Sequence, residues 1–215
     1  MKKGIFWVFE GVEGSGKTTQ IKILFDYLSD KGFPALITKE PGSTDHPITQ
    51  AIRKTLLDPE FSGRFSFRAE FLLFEADRAQ HIDFVVRPAM EKGQIVLSDR
   101  HDAASFAYQH FARKICSQRE FLLINNFATS MLEPDFTFWL NLDPAIGLDR
   151  NSAIRNKNDR IEKEALAFHQ LVQKGYEKFF NHFVPQNKWQ RFDASLPADE
   201  VSKQIIEKAE KLLAV

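Results

Sequence analysis

Residues 11–18, Gly11-Val12-Glu13-Gly14-Ser15-Gly16-Lys17-Thr18, set three glycines and a lysine between an apolar run and an amphipathic one. Ahead of them, Gly4-Ile5-Phe6-Trp7-Val8-Phe9 is short, β-branched and aromatic, and reads as a buried strand. Behind them, Ile21, Leu24, Phe25 and Leu28 recur at helical spacing between Lys17 and Lys31. The glycines therefore lie at a strand-to-helix turn and fit G-x-x-x-x-G-K-[ST], a phosphate-binding loop. Glycine lets the backbone curl until its N–H groups converge, and the helix N-terminus adds partial positive charge. Lys17 is placed to reach β- and γ-phosphates, and the Thr18 hydroxyl to bind Mg²⁺. The stretch Gly11 to Thr19 is thus expected to hold a nucleoside triphosphate.

The rest of the chain repeats the strand–helix alternation. Strands are expected at Phe33 to Thr38, Gln94 to Ser98, Phe136 to Leu142 and Trp189 to Phe192. Arg68 to Met90 reads as mostly helical, and helices begin near Pro144 and Pro197. The last helix carries Val201, Ile205, Ala209 and Leu212 on one face. Near-continuous apolar strands alternating with helices predict a parallel sheet covered on both sides, with ligands at the carboxyl ends of its strands.

The 215 residues are read as one domain, 1–215, with no linker, repeat or low-complexity stretch. Lys plus Arg and Asp plus Glu both number 29, which argues against nucleic acid or an anionic membrane surface as partner. The single cysteine, Cys116, rules out an internal disulfide and suits a reducing compartment. The first apolar run stops at Glu10, too soon for a signal-peptide core, and no run is long enough to span a bilayer. The cytoplasm is the expected location.

The candidate chemistry lies at the carboxyl ends of the strands. Lys39-Glu40-Pro41-Gly42 carries a turn signal and is read either as an ordinary surface turn or as a loop facing a second substrate, with Lys39 near its phosphate. Asp99 ends an apolar strand, where a carboxylate can hold Mg²⁺ directly or through water, and Arg100 beside it is a fork for a phosphate. His101 reads as structural. The stretch from Phe74 to Gln80 interrupts an apolar helical stripe, either as a solvated helix face or with Phe74 as a ring that stacks on a base and Arg78 as a cation that bonds its edge. Arg150, Arg155, Lys157 and Arg160 crowd a stretch with little apolar content, expected to be a mobile lid at about 150–160.

A second class of protein has a partial match. Asn156-Lys157-Asn158-Asp159 fits the N-K-x-D pattern with which P-loop GTPases read guanine. That pattern belongs at the tip of an apolar strand, and Asn151 to Arg155 is not one. No glycine has Asp three positions before it, so the switch motif D-x-x-G is missing too. A GTPase-like binding module is a remote alternative.

Taken together, these residues resemble the bacterial thymidylate kinases, P-loop enzymes that phosphorylate dTMP to dTDP with ATP and Mg²⁺. The resemblance runs from about Ile5 to the last helix, through "FEGVEGSGKTTQ", "EPGST", "LLFEADRAQH", "DRHDAASFAYQ" and "DRIEKEALAFHQLVQKGY". It implies a three-layer α/β/α P-loop NTPase fold with a central five-stranded parallel sheet and a mobile lid. Gly11, Val12, Glu13, Gly14, Ser15, Gly16, Lys17, Thr18 and Thr19 would cradle ATP, with Thr18 and Asp99 at the metal. Glu13 would sit near the acceptor's 3′-hydroxyl and Lys39 near the acceptor. Phe74 would stack on thymine and Arg78 bond its edge; Arg100 would grip the acceptor phosphate. Ser105, Tyr108 and Gln109 would line the thymidine pocket. This loop has no cation between its glycines, so a lid arginine, Arg155 or Arg160, would supply it. The family is usually a homodimer through sheet-flanking helices, which the 21 phenylalanines would suit. The chain departs from the family at Ala104 (usually Ser), Ser43 (Gly) and Lys39 (Arg). Another pyrimidine nucleoside monophosphate kinase is the alternative.

Overall fold

The structure, a computed structural model, describes residues 4–43, 46–154, 161 and 164–214. Its centre is a sheet of five strands: β1 (Ile5–Glu10), β2 (Ala35–Lys39), β3 (Ile95–Asp99), β4 (Phe136–Asn141) and β5 (Trp189–Asp193). They lie in the order β2-β3-β1-β4-β5, and every pairing is parallel. The chain leaves β1 toward the β2 edge and leaves β3 and β4 toward the β5 edge. The carboxyl ends of the central strands therefore flank a crevice.

The helices around the sheet are α1 (Lys17–Asp30), α2 (Pro47–Leu57), α3 (Phe67–His81), α4 (Arg87–Glu91), α5 (Asp102–Ser105), α6 (Gln118–Thr129), α7 (Pro144–Ile154), α8 (Leu166–Phe183) and α9 (Ala198–Leu213). Alternation along the strands distributes the core. Trp7 and Phe9 of β1, with Ile95 and Leu97 of β3, join the large cluster with α1, α8 and α9. Phe6, Val8 and Val96 point the other way and meet Ile82, Val86 and Ala89. Both faces of the central strands are thus dry, which is why those strands read as unbroken apolar runs. Most phenylalanines fill this core, Phe138 alone contacting the rings of Trp7, Phe9, Phe136 and Phe192. Phe67, Phe84 and Phe127 are exposed. Among the described residues no helix is long and apolar enough to cross a membrane.

The remaining strands shift by a residue at one or both ends, and three differences from the sequence reading have a structural cause or consequence. β1 runs on through Glu10, which pairs in register with Trp139 and is fully buried. β2 starts at Ala35, because Pro34 has no N–H and enters the ladder only through its carbonyl, bonded to Ile95 N–H at 2.8 Å. The helix expected from Arg68 to Met90 is continuous, but a π-helical turn at Ile82–Val86 precedes Pro88. It shifts the hydrogen-bond register just where the proline lacks a donor.

Candidate active site

The phosphate-binding loop sits at the carboxyl end of β1. Gly14 takes φ +70°, and a Cβ there would lie 2.1 Å from the carbonyl oxygen of Gly147 in α7. A side chain is excluded both by conformation and by space. The contact is reciprocal, since a Cβ on Gly147 would lie 2.1 Å from the Glu13 carbonyl oxygen. Two backbones approach here, and the only sequence signal for it is a lone glycine inside a helical stretch.

Lys17 Nζ is curled onto the loop and donates to the carbonyls of Gly11 and Val12, each at 3.0 Å, and to Ser15 Oγ at 3.4 Å. Burial, with Arg100 nearby, pushes its ammonium below the usual lysine range. The Thr18 hydroxyl donates to Asp99 Oδ2 at 3.1 Å, joining the first turn of α1 to the tip of β3. This pair of oxygens at a phosphate loop suits a hard, oxygen-seeking cation such as Mg²⁺.

Arg100 follows β3 with φ 78°, a left-handed conformation that costs a non-glycine residue about 1 kcal/mol or more. Its Nη2 donates to Glu13 Oε1 at 2.5 Å and approaches Tyr108 Oη at 3.4 Å. Its Nη1 donates to Gly11 O at 3.1 Å and Tyr176 Oη at 2.8 Å. Burial alone would raise the Glu13 carboxyl, but the charges of Arg100 and Lys17 outweigh it and hold its pKa at about 2. Tyr108 donates to the same Glu13 oxygen at 3.2 Å.

Beyond Arg100 lies a second buried cluster. Arg78 makes five hydrogen bonds, as many as a guanidinium has N–H groups. Nε donates to Glu40, Nη1 to Glu75 and Asn125, and Nη2 to the His101 carbonyl and Ser105 Oγ. Glu40 is held in turn by His81 Nδ1 at 2.8 Å and His101 Nδ1 at 3.2 Å. Burial opposes ionisation of Glu40, yet Arg78 and His101 keep its carboxyl well below the usual range. Next to it, burial and the Glu40 charge raise Asp77 to about 7.

Both clusters border one cavity of about 980 Å³, lined by Glu13, Lys17, Asp99 and Arg100 from the first and by Glu40, Asp77, Arg78 and Ser105 from the second. Among the residues expected from sequence, Glu13, Gly14, Gly16, Lys17, Thr18, Thr19, Lys39, Phe74, Arg78, Asp99, Arg100, Ser105, Tyr108 and Gln109 face it together. Gly11, Val12 and Ser15 stand behind, supplying the acceptors for Lys17. Arg155 and Arg160, and with them the lid beyond residue 154, lie outside the described residues. Arg150 lines the cavity and donates to the Ala194 carbonyl at 2.9 Å. His101, read from the sequence as structural, is fully buried between Glu40 and the Phe6 ring and also belongs to the cavity wall. Sequence reasoning gives no individual role to Glu10, Glu40, Arg53, His81, Asn125 or Tyr176, although Glu10, Glu40, His81 and Tyr176 lie within the stretches that carry the resemblance.

The fold and this cavity define a P-loop nucleotide-binding protein of the kinase type, with room for a second ligand against the loop. Comparison with known proteins makes the class particular. A thymidylate kinase family model matches residues 9–205. The thymidylate kinase of Halothermothrix orenii is 38% identical, with 98% of this chain and 99% of that one covered. That of Symbiobacterium thermophilum is 40% identical over 97% and 94%, and that of Bacillus licheniformis 41% over 94% and 93%. The chain belongs to the thymidylate kinase family.

Proposed function

We infer that this chain transfers the γ-phosphoryl group of ATP to the phosphate of dTMP, giving dTDP and ADP. The observation that carries the reading is the continuity of one cavity from Lys17 and Thr18 to Arg100, Phe74 and Gln109. Donor and acceptor subsites share a wall, the Glu13–Arg100 pair. Phosphoryl transfer asks for in-line placement and neutralised charge more than for proton abstraction, and this site offers cations and oriented N–H groups.

In this reading an oxygen of the dTMP phosphate attacks the γ-phosphorus, and the bond to the β–γ bridging oxygen breaks. Lys17 turns from the loop carbonyls to the β- and γ-phosphates. Thr18 and Asp99 would hold Mg²⁺, which neutralises phosphate charge when bound. Arg100 orients the acceptor phosphate, and a lid arginine, Arg155 or Arg160, approaches the transferring group. Phe74 stacks on thymine, Tyr108 packs on the sugar, and Glu13 accepts from the 3′-hydroxyl. Gln109 is 2% exposed and its carboxamide makes no hydrogen bond among the described residues, which leaves it open to the base edge. Arg78, with its N–H groups already matched, can reach the base only by sharing one of them with Ser105 or Asn125. Lys39 lines the same cavity and is assigned to the acceptor.

A homodimer also belongs to this reading. Helices α3 and α6 pack together and leave Leu72, Leu123 and Phe127 exposed, Phe127 by 88%. Such a face suits a second copy of the chain.

The test is ADP formation from ATP and Mg²⁺ against dTMP, dUMP, dCMP, UMP, AMP and GMP. The expected result is the highest kcat/KM with dTMP. Preference for another monophosphate would overturn the base assignment and point to Ala104, which lines the cavity where the family usually has serine. No turnover with any acceptor would overturn the reaction.

A further inference from the structure

Arg100 is held from the side that faces away from the cavity as well as from the cavity itself. Its backbone has φ 78°. Three backbone ties hold that conformation. Arg100 N–H donates to the Phe9 carbonyl at 2.9 Å, Ser98 Oγ donates to the Arg100 carbonyl at 2.8 Å, and the next residue's N–H donates to Glu10 Oε1 at 2.8 Å. The same Glu10 oxygen accepts from Ala104 N–H at 3.3 Å, closing the start of α5.

The other oxygen of Glu10 reaches the side chain. Tyr176, on α8, donates its hydroxyl to Glu10 Oε2 at 3.0 Å and accepts from Arg100 Nη1 at 2.8 Å. Glu10 and Tyr176 are both fully buried, and neither is among the cavity-lining residues. Glu10 thus fixes the backbone of Arg100 with one oxygen and its guanidinium, through Tyr176, with the other. On the open side, Glu13 and Tyr108 hold Nη2. Those two partners face the cavity and compete with a ligand for the guanidinium; Tyr176 and Glu10 do not.

We propose that Tyr176 and Glu10 are positioning residues that pre-set Arg100 for the phosphate of the acceptor, so that binding discriminates nucleotide from nucleoside. This rests on the reading of Arg100 as the acceptor-phosphate residue. The polarity of the chain matters. Glu10 receives three donors, two N–H and one O–H, so a carboxylate fits and a carboxamide does not. Without the Glu10 acceptor, the Tyr176 proton has nowhere to go; without the Tyr176 oxygen, Arg100 loses one of the bonds that set its rotamer.

The experiment is calorimetric binding of dTMP and of thymidine to wild type, Tyr176→Phe, Glu10→Gln and the double variant, with thermal unfolding of each. In Tyr176→Phe, dTMP affinity should fall about tenfold while thymidine affinity stays within about twofold, the scale of one hydrogen bond to a charged group. Glu10→Gln should give the same selective loss, and the double variant less than the product of the two. Unchanged dTMP affinity in Tyr176→Phe overturns the proposal. So does a parallel loss of dTMP and thymidine, which a merely structural tyrosine would produce. If wild type binds thymidine as tightly as dTMP, the acceptor-phosphate reading of Arg100 fails first, and the positioning role with it.

Discussion

Arg100 Nη2 donates to Glu13 Oε1 at 2.5 Å, so a residue after β3 is ion-paired to the middle of the phosphate-binding loop. The pair makes the loop's stability depend on acid. Glu13 has its pKa lowered from 4.5 to about 2, burial opposing the shift and Arg100 driving it. A depressed carboxyl stabilises the fold fully above its unfolded value and loses that contribution as pH falls toward its folded one. Wild type should therefore lose stability between about pH 4.5 and 2 more steeply than Glu13→Gln. Denaturant unfolding across that range checks it, and parallel curves for the two proteins would refute it.

Removal of either fixed cation should be costly. Lys17 and Arg100 both line the cavity and both donate to the Gly11 carbonyl, and the proposed reaction assigns the first to the donor phosphates and the second to the acceptor. Lys17→Ala and Arg100→Ala are each expected to lower kcat/KM by at least about 100-fold, the scale of one transition-state donor. On the proposed reading, in which a lid cation acts on the transferring group, Arg155→Ala should lower kcat more than it raises KM for the acceptor. Steady-state kinetics with dTMP varied at saturating ATP separates these; near-normal rates in either Lys17→Ala or Arg100→Ala would dispose of the assignment.

Asp77 behaves in the opposite sense to Glu13. One of its oxygens accepts from Gly42 N–H at 2.9 Å, and the other has no hydrogen-bond partner among the described residues. Burial and the neighbouring Glu40 raise its pKa from 3.8 to about 7. The folded chain therefore holds a proton that the unfolded chain releases, and stability is lost as pH rises from about 4 to 7. Asp77→Asn keeps the acceptor for Gly42 and removes the titration. It should be more stable than wild type at pH 8, by on the order of 2–4 kcal/mol, with the gap closing below about pH 4. A gap independent of pH would show that Asp77 does not titrate in this window.

The exposed apolar face gives a simple prediction. Phe127 is 88% exposed on α6, beside Leu123 on the same helix and Leu72 on α3. If this face covers a second copy, Phe127→Asp should sediment as a monomer at concentrations where wild type is a dimer. Wild type sedimenting as a monomer would remove the dimer from the reading.

The features legible in the sequence are local, and the hidden ones are assembled across distance. The loop at residues 11–18 announces itself because its spacing is fixed by phosphate geometry, and the buried strands announce themselves through β-branched and aromatic runs. Asp99 and Arg100 are legible because they stand at a strand tip. Glu10 reads only as the end of an apolar run, although it pairs inside the sheet and holds the turn after β3. Tyr176 lies 76 positions from Arg100; it ends one of the stretches that carry the resemblance, but nothing there shows that it meets Arg100. Glu40 has no legible role within its turn, since its partners Arg78, His81 and His101 come from other elements. For Arg78 the residue is evident and its environment is not. A cation read as bonding a base is also the hub of a buried network, and only the folded chain brings those acceptors around it.

Gly147 offers the sharpest test of how the loop is supported. It sits in the first half of α7, where glycine is intrinsically unfavourable by about 1 kcal/mol relative to alanine. Propensity alone predicts that Gly147→Ala stabilises the helix. Packing predicts the reverse, because the new Cβ would lie 2.1 Å from the Glu13 carbonyl oxygen, a backbone atom that cannot rotate aside. Either α7 moves off the loop or Glu13 is displaced, and overpacking of this kind typically costs about 1–3 kcal/mol. Displacing Glu13 would also disturb its pairing with Arg100 and the curl that presents Lys17. Gly147→Ala should therefore lower Tm by a few degrees, on the order of 2–4 °C per kcal/mol for a chain of this length, and raise KM for both ATP and dTMP. A raised Tm with unchanged kinetics would mean that helix propensity outweighs the contact and that α7 does not brace the phosphate-binding loop.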